Sequence, residues 1–307
     1  SVGYRRIREQ DPIVGMSWRT VIVTGIAKLD YKMGYLVVRK ADSINRVHLS
    51  EIEMLVVESV TTSLTTSLIS ELIKCKVKVV FCDEKHNPES ELLPCYGSYD
   101  SSGKVRDQIR WDEDIKQLVW TEIITEKIRK QKEHLKFRRL YDSASMLEQY
   151  ISEMQPGDAS NREGHAAKVY FNSLFGKSFT RSQDCATNAA LNYGYGILLS
   201  YFNRSISSSG YLTQLGLCHD NRFNPFNLTS DIMEPFRILI DRKVVDMAPS
   251  KFERDEKLEL IETMQERVII DGKSNTVANA IRIYSRSIFD AINDRDVAQI
   301  KCYRNEL

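Results

Sequence analysis

Two carboxylates and one imidazole in the second half of the sequence have the chemistry of a hard-cation site: Glu163 in SNREGHAAKVYF, His219 in GLCHDNRFNPFN and Glu234 in TSDIMEPFR. Carboxylate oxygens suit Mg2+ or Mn2+, and a single imidazole admits Mn2+ as well. Such a set can act on a phosphodiester. Each member also has a purely structural reading. Ser160 followed three residues later by Glu163 has the form of a capping box at a helix start. His219 reads equally as a hydrogen-bonded loop histidine, and Asp231, just before Glu234, as a partner of a helix dipole. Spacing alone does not choose.

The elements that must carry these residues sharpen the question. With a helix starting at Ser160, Glu163, Ala167, Tyr170 and Leu174 fall on one face, so Glu163 heads the stripe that faces the core. A carboxylate aimed inward needs a partner. Ser230 reads as an N-cap, after which Asp231 and Glu234 share a face while Ile232 and Phe236 point to the core. Pro235 fixes the backbone beside Glu234. Cys218 adjoins His219, but neighbours on an extended chain point apart, so it reads as a core residue rather than a nucleophile. Cys82, His86 and Cys95 lack a fourth ligand and do not make a zinc site.

The chain has 307 residues, enough for two domains, with an ordinary globular composition of 42% apolar and 28% charged residues. With 43 basic and 42 acidic side chains the net charge is +1, so any nucleic-acid surface must come from local segregation of charge. No apolar run approaches the roughly 18 to 20 residues of a membrane helix, and no secretory h-region is visible near the start. Six cysteines without a C-x-x-C pair read as reduced core residues rather than as disulfides. The expectation is a cytoplasmic protein with no membrane partner.

The fold expected is α+β, an amino-terminal β-rich domain joined by a short linker to a mostly α-helical catalytic domain. Residues 1–15, ahead of Met16, read as a leader foreign to the natural chain, with a genuine basic arm as the alternative. Residues 16–95 carry the β-rich runs WRTVIVT, GYLVVRK, RVHLS, EMLVVES and VKVVFC, interrupted by one amphipathic helix with Leu64, Leu68, Ile69 and Leu72 on its inner face. Pro88 and YGSYDSSGK break regular structure, making 96–110 the linker. Residues 111–307 follow periods of three and four, and DGKSN at Asp271 to Asn275 reads as a turn, not a phosphate loop.

The segments SNREGHAAKVYFNSLFG, NAALNYGYGILLSYFNR, GLCHDNRFNPFNLTSDIMEPFR, HLSEIEMLVVES and VFCDEKHNP closely resemble the CRISPR adaptation integrase, in its form from type II systems. The resemblance runs from Met16 to at least Asp241; beyond about Asp246 it rests only on helical character. It implies a DNA integrase dependent on Mg2+ or Mn2+, with Glu163, His219 and Glu234 as metal ligands and catalytic residues. Asp231 matches a neighbouring acidic position and His165 lies close by, so both are secondary candidates, as further ligands or as partners that orient a ligand. The implied reaction joins the 3′-hydroxyl of a captured spacer DNA to a repeat phosphodiester, with no covalent protein intermediate. The implied assembly is a homodimer, dimerised through the β domain, with spacer and repeat DNA and a small ferredoxin-like second adaptation protein. An effector nuclease and an accessory DNA-binding ring protein are further candidates.

DNA contacts are expected from the basic helix Glu126 to Tyr141, notably Arg138 and Arg139, and from Arg181, Arg204, Arg222 and Arg237 near the metal segments. A solvated face is the competing reading of the basic helix. Two other functions compete with integration: a metal nuclease that cleaves branched DNA without joining, and a non-catalytic DNA-binding assembly subunit.

Overall fold

A computed structural model describes residues 19–84, 86–93 and 100–305. The leader reading, the start at Met16 and Cys95 lie outside the described residues. The chain divides into two compact units at the Cys95/Tyr96 boundary. One is β-rich and the other mostly helical, the α+β architecture expected.

The first unit holds strands β1 (Arg19–Val23), β2 (Lys28–Lys32), β3 (Tyr35–Arg39), β4 (Ile44–His48), β5 (Ile52–Val57), β6 (Ser63–Leu64), β7 (Lys78–Cys82) and β8 (Pro88–Glu91), with helix α1 (Thr66–Lys74) between β6 and β7. They form two sheets, in the orders β1-β5-β7-β8 and β4-β3-β2-β6. Strands β1, β5 and β7 run parallel and β8 closes the edge antiparallel. Met54 to Val57 are buried without alternation, as befits a strand covered on both faces. Leu68 and Leu72 of α1 join Leu29, Leu36, Val47, Leu55 and Val79 in one core.

Two expectations change here. Leu64 belongs to strand β6, and α1 starts only after Thr65, whose hydroxyl accepts the Leu68 amide at 3.3 Å. Pro88 opens a strand rather than ending regular structure, and does so at a sheet edge, where its missing N–H costs nothing.

The second unit comprises α2 (Ser101–Ile109), α3 (Glu113–Phe137), α4 (Tyr141–Ser152), α5 (Arg162–Phe175), α6 (Ala186–Ser208), α7 (Asn227–Ile232), α8 (Arg237–Met247), α9 (Arg254–Glu262) and α10 (Val277–Asn293). A small antiparallel sheet, β10 (Lys273–Thr276), β9 (Arg267–Ile270) and β11 (Arg304–Asn305), sits among them. Most of the stretch read as linker is therefore helix α2. The DGKSN turn is a two-residue hairpin loop, with Asp271 and Gly272 both at positive φ (55° and 72°).

Helix α3 is the axle of this unit, packed against α4, α5, α8 and α10. Its buried stripe runs through Ile115, Val119, Ile123, Ile124, Ile128 and Leu135, and it also takes in Lys127, Lys130, Gln131 and His134. The basic helix expected from Glu126 to Tyr141 is not continuous. It stops at Phe137, Arg139 takes a left-handed φ of 61°, and α4 begins at Tyr141. The solvated-face reading fails for the first half of that segment, where Lys127 and Lys130 are 8% and 4% exposed.

In the first unit, Lys78 of β7 and Glu91 of β8 form a nearly buried ion pair across the strand edge. Removing one partner strands the other charge. Lys78→Ala is expected to cost about 3 kcal/mol in chemical denaturation, and Lys78→Met combined with Glu91→Leu to recover most of it.

Candidate active site

Glu163 reaches the interior because other residues cap its helix. Asn161 is the N-cap of α5, in the left-handed region that asparagine tolerates, and its side chain accepts the Gly164 amide at 3.3 Å. The Asp158 carboxylate takes the amides of Arg162 and Glu163 at 2.7 and 3.0 Å. The capping box expected from Ser160 and Glu163 does not form, since the Glu163 amide that Ser160 would accept goes to Asp158. The Glu163 carboxylate instead accepts from Lys127 Nζ of α3 at 2.6 Å.

The same ammonium lies 2.5 Å from Glu234 Oε2. Glu234 follows α7 in a single tight turn, Glu234–Phe236, that Pro235 enforces before α8 starts at Arg237. Ser230, expected as an N-cap, lies inside α7, where its amide donates to the Phe226 carbonyl. Glu234 Oε1 faces Arg237 Nε at 3.0 Å. Burial would raise the Glu234 carboxyl, but Arg237 and Lys127 outweigh it and hold the group below its ordinary range. Burial pushes Lys127 the other way, and Glu234 with Glu163 hold its ammonium above its ordinary value.

His219 is positioned by Asp231. The segment from Gly216 to His219 wraps the fully buried Asp231 carboxylate, which accepts the Leu217 and Cys218 amides on Oδ2 at 2.6 and 3.1 Å. Oδ1 takes the His219 amide at 3.3 Å and His219 Nδ1 at 2.5 Å. Gly216 allows this closeness, because a Cβ there would lie 2.3 Å from the His219 carbonyl oxygen and 2.8 Å from Asp231 Oδ2. Both oxygens of Asp231 are thus engaged. They fix the imidazole with Nδ1 as donor and Nε2 as the nitrogen free to accept, the usual way a carboxylate orients a ligating histidine. Trp120 of α3 meets the ring edge-on at 5.8 Å.

The structure therefore brings Glu163 and Glu234 together, with His219 held separately on the Asp231 loop. Among the described residues, no group of three His, Cys, Asp or Glu side chains is arranged to hold a metal ion. The donor set nonetheless fits one. Two carboxylates already share a single cation, and the buried Glu234 Oε2 finds no hydrogen bond among the described residues beyond its ion contact with Lys127.

The remaining candidates distribute as follows. His165 is exposed, its ring 6.1 Å from that of Tyr150. Cys218 is exposed rather than in the core; partial burial and Asp231 push its thiol up to about 11, which suits a nucleophile poorly. Arg138 pairs with Asp246 and Arg139 is exposed. Arg204 is half-buried on α6, and Arg222 is exposed beside Phe223. Arg181, held by Asn188 and Asn192, and Arg237 both lie over the Tyr195 ring, at 5.4 and 4.7 Å. These two arginines, with Lys127, Gln131, Tyr195 and Asp241, line a cavity of about 80 Å³ beside the carboxylate pair.

Lys127, which joins the two carboxylates, is the residue of this candidate site that the sequence does not single out. Its signal was a cation in phase with Ile123, Ile124 and Ile128 on the buried stripe of α3, where a charge needs a reason.

The chain is a two-unit protein, β-rich and then helical, in which α5 and the turn after α7 bring two carboxylates onto one lysine. The profile for "CRISPR associated protein Cas1" matches residues 20–270, past the point where the sequence resemblance was expected to fade. The "CRISPR-associated endonuclease Cas1" of Neisseria meningitidis serogroup C (strain 8013) is 31% identical over 292 residues, covering 93% of this chain and 96% of that protein. The chain belongs to the Cas1 family of CRISPR adaptation proteins. Among solved structures, a casposase bound to integration product matches with a TM-score of 0.73 at 18% identity, over 91% of this chain and 93% of that one. A Cas6-RT-Cas1–Cas2 complex matches equally well, with a TM-score of 0.73 at 17% identity, over 97% of this chain and 37% of that one.

Two histidines are expected to titrate in opposite senses. The hydrogen bond to Asp231 raises His219 above its ordinary 6.5, whereas burial and Arg138 lower His134 to about 3. The stability that His219 gains from its pair is then present below pH 6.5 and lost as pH rises through its folded value; His134 contributes stability above 6.5 that is lost as pH falls. NMR titration should show His219 with a midpoint above 6.5, reverting in Asp231→Asn, and His134 neutral down to the acid limit of folding.

Proposed function

We propose that this Cas1-family protein joins captured DNA to a CRISPR repeat through a divalent-metal site made of Glu163, Glu234 and His219. Spacer-integrating endonuclease activity is the activity of this family. The observation that supports the metal site is the convergence of Glu163 and Glu234 on one cation, with Glu234 nearly buried. Mg2+ or Mn2+, when bound, supplies a Lewis acid that polarises a phosphoryl oxygen and stabilises the leaving oxygen.

The chain's own residues do the rest. Asp231 presents the His219 imidazole through Nδ1, leaving Nε2 for a ligand. Arg237 balances the charge of Glu234 from the far side, so two carboxylates can sit close together. Arg181 and Arg237 place guanidinium groups along the adjoining cavity, the planar donors that suit phosphate oxygens of DNA. The similar Cas1–Cas2 assembly supports a small second adaptation protein as partner.

A homodimer built on the β-rich unit is supported by its exposed apolar side chains: Ile26, Met33 and Ile44 are 77%, 82% and 59% exposed. Light scattering of the intact protein should give twice the chain mass, falling towards the single-chain value for Met33→Glu combined with Ile44→Glu. An unchanged mass would move the interface elsewhere.

The decisive assay mixes the protein with short duplex DNA, a repeat-bearing plasmid, Mg2+ or Mn2+ and the second adaptation protein. Glu163→Gln, Glu234→Gln and His219→Ala should each lower joining roughly 100-fold or more. Glu163→Gln should do so with a stability change of about 1 kcal/mol or less, because its carboxylate is partly exposed and caps nothing. Cleaved but unjoined products would favour a nuclease, and joining unaffected by chelation would remove the metal.

A further inference from the structure

Lys127 stands where a cation is wanted. One ammonium, on the buried face of α3, contacts Glu163 Oε1 at 2.6 Å and Glu234 Oε2 at 2.5 Å. The nearly buried Glu234 could not sit beside a second, only partly exposed carboxylate without compensation, since like charges at close range repel strongly where the dielectric is low. Lys127 is also the only side chain that touches both predicted carboxylate ligands among the contacts of the described residues. A divalent ion bound by the same oxygens requires the space and the lone pairs that the ammonium now takes.

The ammonium has somewhere to go. Beside the pair lies the cavity of about 80 Å³, lined by Lys127 itself together with Gln131, Tyr195 and Asp241, ample for an ammonium group and water. The Asp241 carboxylate is 1% exposed, takes the Tyr195 hydroxyl and has no ion pair of its own among the described residues. A four-carbon stem with free rotors lets lysine move its charge over such a distance, which an arginine fork would not.

We propose that Lys127 is the resident counterion of the metal site: it holds Glu163 and Glu234 together before the divalent ion arrives, is displaced from between them on binding, and turns into the adjoining cavity towards Asp241. The proposal rests on the metal reading of Glu163 and Glu234. It makes metal binding an exchange of one cation for another, so Lys127 lowers the affinity of the site while keeping the metal-free protein intact.

Calorimetric titration of the full-length protein with MnCl2, and melting curves with and without Mn2+, test this. Lys127→Met removes the charge and keeps the stem; Lys127→Gln is the second variant should the first fail to fold. Either should bind Mn2+ at least about tenfold more tightly than wild type, melt at a lower temperature without metal, and recover that loss when Mn2+ is added. Asp241→Asn should weaken Mn2+ binding in the wild-type background and leave it unchanged beside Lys127→Met. If wild type binds Mn2+, loses it in Glu163→Gln, and the Lys127 variants bind equally or more weakly, the exchange is wrong and the metal site stands. If neither wild type nor any Lys127 variant binds Mn2+, the metal reading falls and this proposal with it.

Discussion

Charge buried inside a protein has to be answered by charge or by hydrogen bonds, and the helical unit answers its buried carboxylates in different ways. Glu234 is answered by Lys127 and Arg237, Asp231 by backbone amides and an imidazole, and Asp241 by the hydroxyl of Tyr195. The answers differ in kind, and so do the consequences. Asp231, wrapped by four donors from one short loop, is committed to structure. Asp241 lacks an opposite charge in contact and burial raises its carboxyl to about 6. Glu234 and Glu163 share one lysine ammonium instead of having a partner each.

That contrast separates roles that looked alike in the sequence. Asp231 and Glu234 are three residues apart and both nearly inaccessible. The tight turn at Pro235 ends α7 between them, so Asp231 faces the 216–219 loop while Glu234 faces α3 and α8. The identity of a residue as acidic says little here; the partner of each oxygen says what it does.

Much of the fold was legible because it follows from periodicity. Strands β3, β5 and β7 are β-branched runs, and the inward face of α5 could be read from the phase of Glu163 and Tyr170. Strand β2, KLDYK, carries little strand signal because only Leu29 is fully buried within it, and charged residues dominate the rest. Helix α2 was read as linker because Ser and Gly open it, though Gln108 anchors it by donating to the Leu212 and Leu215 carbonyls, 104 and 107 residues away. The carboxylates and the histidine could be named from chemistry and resemblance. Their organisers could not: Lys127 reads as one basic residue among many in EKIRKQKEHLKFRRLY, and Gly216 as one more loop glycine. Both acquire meaning only through contacts that sequence distance conceals.

Lys127 and Glu163 are 36 residues apart, and Glu234 follows much later, after the whole of α6. A chain emerging from the ribosome with α3 and α5 already formed therefore carries half a site. Until α7 and the Pro235 turn dock against α3, the two carboxylates are strangers and the loop bearing His219 has no Asp231 to close around. An endonuclease is dangerous when half made. Here Glu234, the last-synthesised of the three proposed site residues, is also the most buried of them, so the site is whole only when the fold is.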